Sequence, residues 1–368
     1  MSLSPISLAS GYVPFPAPAV ATEAAVAAVQ AGPLPVLPAA GLPALREALA
    51  GRFRQQGATV EAGQVIVTPG AKPALYALLL AVLQPGDEVL LLTPNWFGFA
   101  ELVARAGGTL RSLPLSAADG YALHPEAIAT ALTPRTRLLL YSNPNNPTGR
   151  LYTRAELDGL VAVTRQHPGL LVLADEIYDL MVFSDERVPS LLEWPDPHGQ
   201  HLVVNGFSKS LGLVGWGIGY LIAPPELARA CAAWQHATGS AVPAPIQQAA
   251  LAATLAAPAV AGEILERLAE TRELMLQELN SIPGVRYVLP TGTYYVFADL
   301  TAYLSPNPAP ADAAALVGRL REGGVEVVDG SGCDAPGFVR LSYAVPAADL
   351  REALGRLRAT LTGSAARP

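Results

Sequence analysis

The sequence predicts an α/β protein with two domains: a large domain in which helices sandwich a mainly parallel sheet, and a smaller α+β domain. Short apolar strands alternate with helical segments over most of the chain, which is typical of βαβ units around a buried parallel sheet. The 368 residues are also too many for one compact core. After Pro258 the pattern changes to a long amphipathic helix, short strands and two further helices. We therefore expect a large domain over 41–258 and a small domain that joins 1–40 to 259–368.

The large domain begins after a segment, residues 1–40, that is rich in proline and alanine and is predicted to be mostly extended. A helix is predicted from Pro43, and Gly57 ends it. The strands are then predicted, in chain order, in VIVTPG, EVLLLTP, TLRSLPL, RLLLYSNP, LLVLADE and HLVVNGFS. Helices lie between several of them, among them KPALYALLLAVLQ, FGFAELVARAG and TRAELDGLVAVTRQH.

The small domain is predicted from a second series of elements. A long helix runs roughly from Val260 to Asn280 and precedes the strand region VRYVLPTGTYYVFADL. A helix from Ala311 to Gly324, the strands EVVDG and FVRLSYA, and a last helix from Pro346 complete this part of the chain.

Composition excludes several functional classes. The net charge is −7 and the pI is about 5.3, whereas binding to nucleic acid needs a basic face. The N-terminus has no basic signal-peptide region, and the longest apolar runs are about half a membrane span. Cys231 and Cys333 form no CxxC pair, and His198 and His201 lie in the loop PDPHGQH, which is typical of a solvated turn. We expect a cytoplasmic protein without a metal site, a nucleic-acid partner or a membrane partner.

One apolar stretch holds an unusual cation. Lys209 is the single charged residue in VVNGFSKSLGLVGWGIGYLIAP, which spans 203–224. An ammonium group in such surroundings is costly to bury and loses its proton readily. A lysine of this kind is what Schiff-base chemistry needs.

Other polar residues follow the predicted strands, where ligands bind in parallel α/β sheets. Each also has an ordinary structural interpretation: TPGAKPAL as a βα turn, Asp175 as a helix N-cap, NPNNPTG as a rigid turn, and Trp96 as a core residue. Arg340 lies within the apolar strand FVRLSYA, where a guanidinium needs a carboxylate partner. Together these residues describe a site with a phosphate-binding turn, an aromatic plate, an amide, a carboxylate, a reactive lysine and an arginine.

These motifs resemble those of the fold type I pyridoxal-phosphate-dependent enzymes, within the class I/II aminotransferase family and its aspartate aminotransferase-like branch. NPNNPTG, DEIY, NGFSK and VRLSYA occur in the family's order and at its spacing, and the resemblance covers nearly the whole chain.

The resemblance implies a role for each candidate residue. Lys209 would form the Schiff base with pyridoxal 5'-phosphate and carry the proton between Cα and the cofactor, and Asp175 would pair with the pyridine nitrogen. The remaining expected cofactor-binding residues are Gly70, Ala71, Lys72 and Ser208 at the phosphate, and Trp96, Asn146 and Tyr178 at the ring. The expected substrate-binding residues are Gly11, Trp96, Asn146 and Arg340, of which Arg340 would bind the α-carboxylate.

The chain departs from the family pattern at two phosphate contacts. Relatives have an arginine at the third position of the segment that reads GWGIGY here, and this chain has Gly217. Val36 stands where relatives have a tyrosine that reaches the phosphate of the neighbouring subunit. Another residue, such as Lys72, is a possible substitute.

The resemblance implies a homodimeric aminotransferase that moves an amino group from an L-amino acid to a 2-oxo acid. A lyase or cyclase of the same fold, catalysing α,β-elimination, is the main alternative, because fold does not fix function. A non-catalytic effector-binding domain is a further alternative. The expected substrate-side residues are apolar or aromatic and favour a neutral or aromatic amino acid: Tyr12, Val13, Phe15, Val36 and Tyr294.

Overall fold

The structure is a computed structural model that describes residues 4–184, 186–239, 241–304 and 310–363. Its strands are β1 (Ile6–Ser7), β2 (Val65–Thr68), β3 (Glu88–Thr93), β4 (Thr109–Pro114), β5 (Thr136–Ser142), β6 (Leu171–Asp175), β7 (His201–Gly206), β8 (Gly219–Ile222), β9 (Arg286–Tyr287), β10 (Tyr295–Asp299), β11 (Val325–Glu326), β12 (Val328–Asp329) and β13 (Phe338–Ser342). Its helices are α1 (Ala19–Gln30), α2 (Pro43–Gln55), α3 (Ala71–Val82), α4 (Gly98–Arg105), α5 (Pro125–Ala131), α6 (Arg154–Thr164), α7 (Pro225–Thr238), α8 (Ala244–Leu255), α9 (Ala257–Asn280), α10 (Pro310–Glu322) and α11 (Ala347–Thr362).

A seven-stranded sheet in the order β2-β8-β7-β6-β5-β3-β4 forms the centre of the molecule. The pairs from β7 to β4 are parallel, and β8 runs antiparallel to both of its neighbours. Side chains alternate between two apolar clusters: Leu90 and Leu92 join one, and Val89 and Leu91 join the other. Both faces of the sheet are therefore covered, as the near-continuous apolar runs of these strands predict. The α/β fold class is confirmed.

A four-stranded antiparallel sheet, in the order β12-β13-β10-β9, lies in the C-terminal part of the chain. The N-terminal segment is tied to this part, because β1 pairs with β11 and the backbone N–H of Ser342 donates to the carbonyl of Leu8 over 2.8 Å. Residues just after β1 are thereby held near the carboxyl end of β13. This placement brings the two ends of the chain to the same site.

Three local expectations were wrong. Residues 1–40 are not mostly extended, because Ala19–Gln30 forms α1. This segment lies between Pro18 and Pro33, is rich in alanine, the best helix former, and packs against α8. The four-residue strand β8 was not predicted, because its glycine-flanked pattern is too short to stand out. His201 is not in a solvated turn: it starts β7, is buried, and burial lowers its pKa.

No single helix in the described ranges is both long and apolar enough to cross a membrane. The pair α8 and α9, bent by 82° at its junction, passes such a test on length and composition alone.

Candidate active site

Lys209 lies just beyond the carboxyl end of β7, and its amine points into a cavity of about 280 Å³. The Nζ donates a hydrogen bond to the carbonyl of Gly11 and lies 3.8 Å from the centroid of the Tyr12 ring. Burial, together with the positive charges of Arg340 and Lys72, lowers the pKa of Lys209 to about 7. A large fraction of this amine is therefore unprotonated and nucleophilic near neutral pH.

Asp175 is the last residue of β6 and lines the same cavity. The parallel register places it beside Ser142 of β5 and Val204 of β7. Its Oδ1 accepts a hydrogen bond of 3.2 Å from the backbone N–H of Ile177, and burial raises its pKa to about 6. Within the described ranges no lysine, arginine or histidine forms an ion pair with this carboxylate. The cavity thus contains a buried acid that can receive a hydrogen bond from a cationic ligand.

Three further predicted residues line the cavity from different loops. Trp96 follows β3, and its indole meets Phe99 edge-on with ring centroids 5.2 Å apart. Asn146 follows β5 and accepts a hydrogen bond from Arg340. Tyr178 follows β6, and its hydroxyl lies 2.8 Å from the hydroxyl of Tyr295. Burial raises the pKa of Tyr178 well above its usual value, so its hydroxyl stays protonated.

Arg340 lies in the middle of β13 and is buried. Its Nη1 donates to Oδ1 of Asn146 over 3.0 Å and its Nη2 donates to the carbonyl of Ala9 over 2.9 Å. The guanidinium stacks 4.2 Å from the centroid of the Tyr295 ring, and its Nε has no hydrogen-bond partner among the described residues. No carboxylate in the described part of the chain pairs with Arg340. A buried guanidinium in this state is suited to bind the carboxylate of a ligand.

The predicted phosphate turn leads from β2 into α3. Gly70 adopts φ +117°, and no side chain caps the first turn of α3. The turn is approached closely by β8, because a Cβ on Gly219 would lie 2.6 Å from the backbone N of Ala71. Ala71 and Lys72 line the cavity, whereas Gly70 and Ser208 are not among its lining residues. The Ser208 hydroxyl instead donates to the carbonyl of Leu213 over 3.4 Å.

Gly217 and Val36, the two residues that differ from the family pattern, are both solvent-exposed. Gly217 has φ +63°, and a Cβ there would meet no atom within 4 Å. An arginine would have space at this position, but its left-handed backbone would cost roughly 1–2 kcal/mol. An arginine at position 217 would therefore carry backbone strain although it has space. Val36 is 98% exposed and lies outside the cavity.

The structure revises the set of substrate-side residues. Gly11 and Tyr12 line the cavity as expected, but Val13, Phe15, Val36 and Tyr294 do not. Tyr295 lines it instead of Tyr294, whose ring centroid lies 4.8 Å from that of Tyr295 and whose hydroxyl donates to the carbonyl of Gly11 over 2.8 Å. Sequence reasoning also missed five other lining residues, which carried no chemical signal of their own: Ala9, Leu75, Phe97, Ile177 and Val328.

Comparison with known proteins agrees with this geometry. The family model described as "Aminotransferase class I and II" matches residues 4–357. The chain is 36% identical to the aspartate/prephenate aminotransferase of Thermus thermophilus, over 97% of this chain and 91% of that protein. It is 35% identical to the aspartate aminotransferase of Geobacillus stearothermophilus, over 96% and 90%. Among solved structures, the Thermus thermophilus aspartate aminotransferase with maleate matches with a TM-score of 0.91 and 35% identity, over 98% of this chain and 92% of that one.

Proposed function

The chain belongs to the aminotransferase class I and II family and is an aminotransferase, and from this premise we propose that it binds pyridoxal 5'-phosphate in the cavity around Lys209. In this proposal it moves an amino group from an L-amino acid to a 2-oxo acid. The observation that carries the proposal is the shared cavity of Lys209, Asp175 and Arg340. This cavity combines a nucleophilic amine, a buried acid and a cation that pairs with no carboxylate in the described part of the chain.

The residues present match the groups of this cofactor. Lys209 offers an amine to the aldehyde, Asp175 offers a buried carboxylate to the ring nitrogen, and Trp96 offers an aromatic face. The uncapped first turn of α3 offers backbone N–H groups to the phosphate. When bound, this cofactor supplies a carbonyl for amine exchange and an electron-withdrawing ring.

The chain's own groups then bind, orient and move protons. The lowered pKa of Lys209 would let its amine act as a nucleophile and as the base that accepts the Cα proton of the substrate. Asn146 and Tyr178 supply an amide and a protonated hydroxyl at the cavity wall, where they would hydrogen-bond the phenolic oxygen of the ring. Trp96 would offer its aromatic face to one side of the ring.

The proposal is tested by mixing the purified protein with cofactor, an L-amino acid and a 2-oxo acid. We expect a new amino acid and a new 2-oxo acid in equal amounts, measured by chromatography. Release of ammonia and an unsaturated or cyclised product without a new amino acid would instead indicate the lyase or cyclase alternative.

Arg340→Ala should chiefly weaken the binding of substrates that carry an α-carboxylate. Losing a buried charged partner costs roughly 2–5 kcal/mol, and KM should rise accordingly. Half-reaction rates with an amino acid and with the matching amine that lacks the carboxylate measure the effect. The amine should be nearly indifferent to the substitution, and equal losses for both compounds would argue against this role.

The cavity wall favours substrates with neutral or aromatic side chains. Tyr12, Phe97, Leu75 and Val328 supply aromatic and apolar surface, whereas the cations that line the cavity are Lys72, Lys209 and Arg340. The latter two already have roles in the proposed chemistry. A panel of amino donors against 2-oxoglutarate and pyruvate tests this preference, and a strong preference for aspartate over aromatic donors would contradict it.

We also propose that the enzyme is a homodimer. Of the nine large apolar residues that are exposed in the described part of the chain, five lie in α1 and the segment after it: Val20, Val26, Val29, Leu34 and Val36. A second copy of the chain is the proposed occupant, because this segment continues from Gly11 and Tyr12, which line the site. The division into domains at 41–258 and at 1–40 with 259–368, and a cytoplasmic location, remain predictions.

Replacing both Val26 and Val29 by glutamate should convert the dimer into a monomer, because it places charges in an apolar interface. Light scattering coupled to size exclusion measures the mass. Leu289→Glu, which alters another exposed apolar residue outside this segment, is the matched control and should stay dimeric. A monomeric wild-type protein, or a double variant that remains dimeric, would contradict this interface.

A further inference from the structure

The chain contains only two lysines, and both lie in the active-site cavity. Of the 24 basic residues counted as lysine or arginine, 22 are arginine, and the two lysines are Lys72 and Lys209. Both line the same cavity. Lys209 has to be a lysine for its amine chemistry, but nothing in that chemistry accounts for Lys72.

Lys72 is placed where a phosphate would be held. It is the second residue of α3, next to the uncapped N–H groups of the phosphate turn. Its Nζ lies 5.3 Å from the centroid of the Trp96 ring, so the ammonium group lies on the cavity side of the helix. It forms no ion pair with a carboxylate in the described part of the chain. The positive charge of Lys72 reaches Lys209, whose pKa it helps to lower.

The position that lacks the family's arginine borders the same turn. Gly217 lies two residues before Gly219, which pairs with Thr68 at the end of β2 and approaches the backbone of Ala71. A Cβ on Gly217 would itself meet no described atom within 4 Å. Glycine supplies no positive charge, and of the cations that line the cavity, Lys72, Lys209 and Arg340, it is Lys72 that belongs to this turn.

Building on the proposed function, we propose that the side chain of Lys72 supplies the positive charge for the cofactor phosphate that an arginine supplies in relatives. Lysine binds phosphate as a point charge, whereas arginine binds it bidentately. Binding of the cofactor phosphate in this enzyme thus depends on one flexible ammonium group and on a helix N-terminus.

The test measures dissociation constants of pyridoxal 5'-phosphate and of pyridoxal, which lacks the phosphate, by absorbance titration of cofactor-free protein. Lys72→Met should weaken binding of the phosphorylated compound by tenfold or more and leave pyridoxal within twofold of wild type. Lys72→Arg should restore binding of the phosphorylated compound to within threefold. Arg229→Met removes an exposed cation of α7 that does not line the cavity, and it should change neither constant.

A second measurement uses the scarcity of lysine. Reductive methylation followed by peptide mass analysis reports the accessibility of Lys72 directly. Pyridoxal 5'-phosphate should protect Lys72 from methylation, and pyridoxal should not. Three results would overturn the inference. Lys72→Met could lose equal affinity for both compounds, it could lose affinity for neither, or pyridoxal alone could protect Lys72 from methylation. A wild-type protein that binds neither compound would overturn the proposed function together with it.

Discussion

Lys209→Ala is expected to abolish turnover and covalent attachment of the cofactor. The amine of Lys209 is the one whose pKa burial and neighbouring cations lower to about 7, and it donates into the loop that holds Gly11. Alanine would remove both the proposed nucleophile and the proposed base for the Cα proton. Borohydride reduction of the cofactor-loaded protein, followed by peptide mapping, should label Lys209 in the wild type and no lysine in the variant. Because Lys72 is the sole remaining lysine, an adduct there would contradict the assignment.

The burial of Lys209 can also be tested by comparing how the stability of this variant and of the wild type depends on pH. The pKa of Lys209 falls from 10.5 to about 7 on folding, so between these values the unfolded chain binds more protons than the native one. The unfolding free energy of the cofactor-free wild type should therefore increase as pH rises from about 7 to 10.5, because of the contribution of Lys209. Lys209→Ala should lack that contribution, which urea unfolding at several pH values measures. A variant with the same pH dependence as wild type would show that the lysine is not buried in this way.

Asp175→Asn is expected to slow transamination by about a thousandfold, which corresponds to about 4 kcal/mol in the barrier. In the proposed function the carboxylate would keep the ring nitrogen of the cofactor protonated, and an unprotonated pyridine is a poor electron sink. Asparagine is nearly the same size but carries no charge, so cofactor should still bind. Single-turnover loss of the Cα proton, followed with deuterated substrate, measures the effect.

The neighbouring carboxyl group provides the matched control for Asp175. Glu176 is also buried, but it faces away from the cavity, accepts hydrogen bonds from Ser190 Oγ and the Leu191 backbone N–H, and has its pKa raised by burial to about 8. It is therefore largely neutral at pH 7, and Glu176→Gln should leave the rate of proton loss within a few fold. Near wild-type rates in Asp175→Asn, or an equal loss in Glu176→Gln, would refute the role of Asp175.

Much of the site could be predicted because its members end predicted strands. Asp175 ends β6, and Asn146, Trp96 and Lys209 follow β5, β3 and β7. Parallel strands bring their carboxyl ends to one edge of a sheet. Local errors came from weak local signals. The helix α1 was hidden between prolines, and the strand β8 has only four residues.

The sequence by itself determined the α/β fold and the family, and it singled out Lys209 as the candidate reactive amine. Apolar runs indicate which strands are buried, and a single cation in such a run indicates a chemical role rather than a structural one. Only the tertiary structure decided which distant groups meet. Gly11 accepts the hydrogen bond of an amine 198 residues away, and Ala9 that of a guanidinium 331 residues away. It also selected Tyr295 over Tyr294 and placed Lys72 beside Trp96. Local patterns encode backbone and burial, whereas strand register and long-range packing decide which side chains share a cavity.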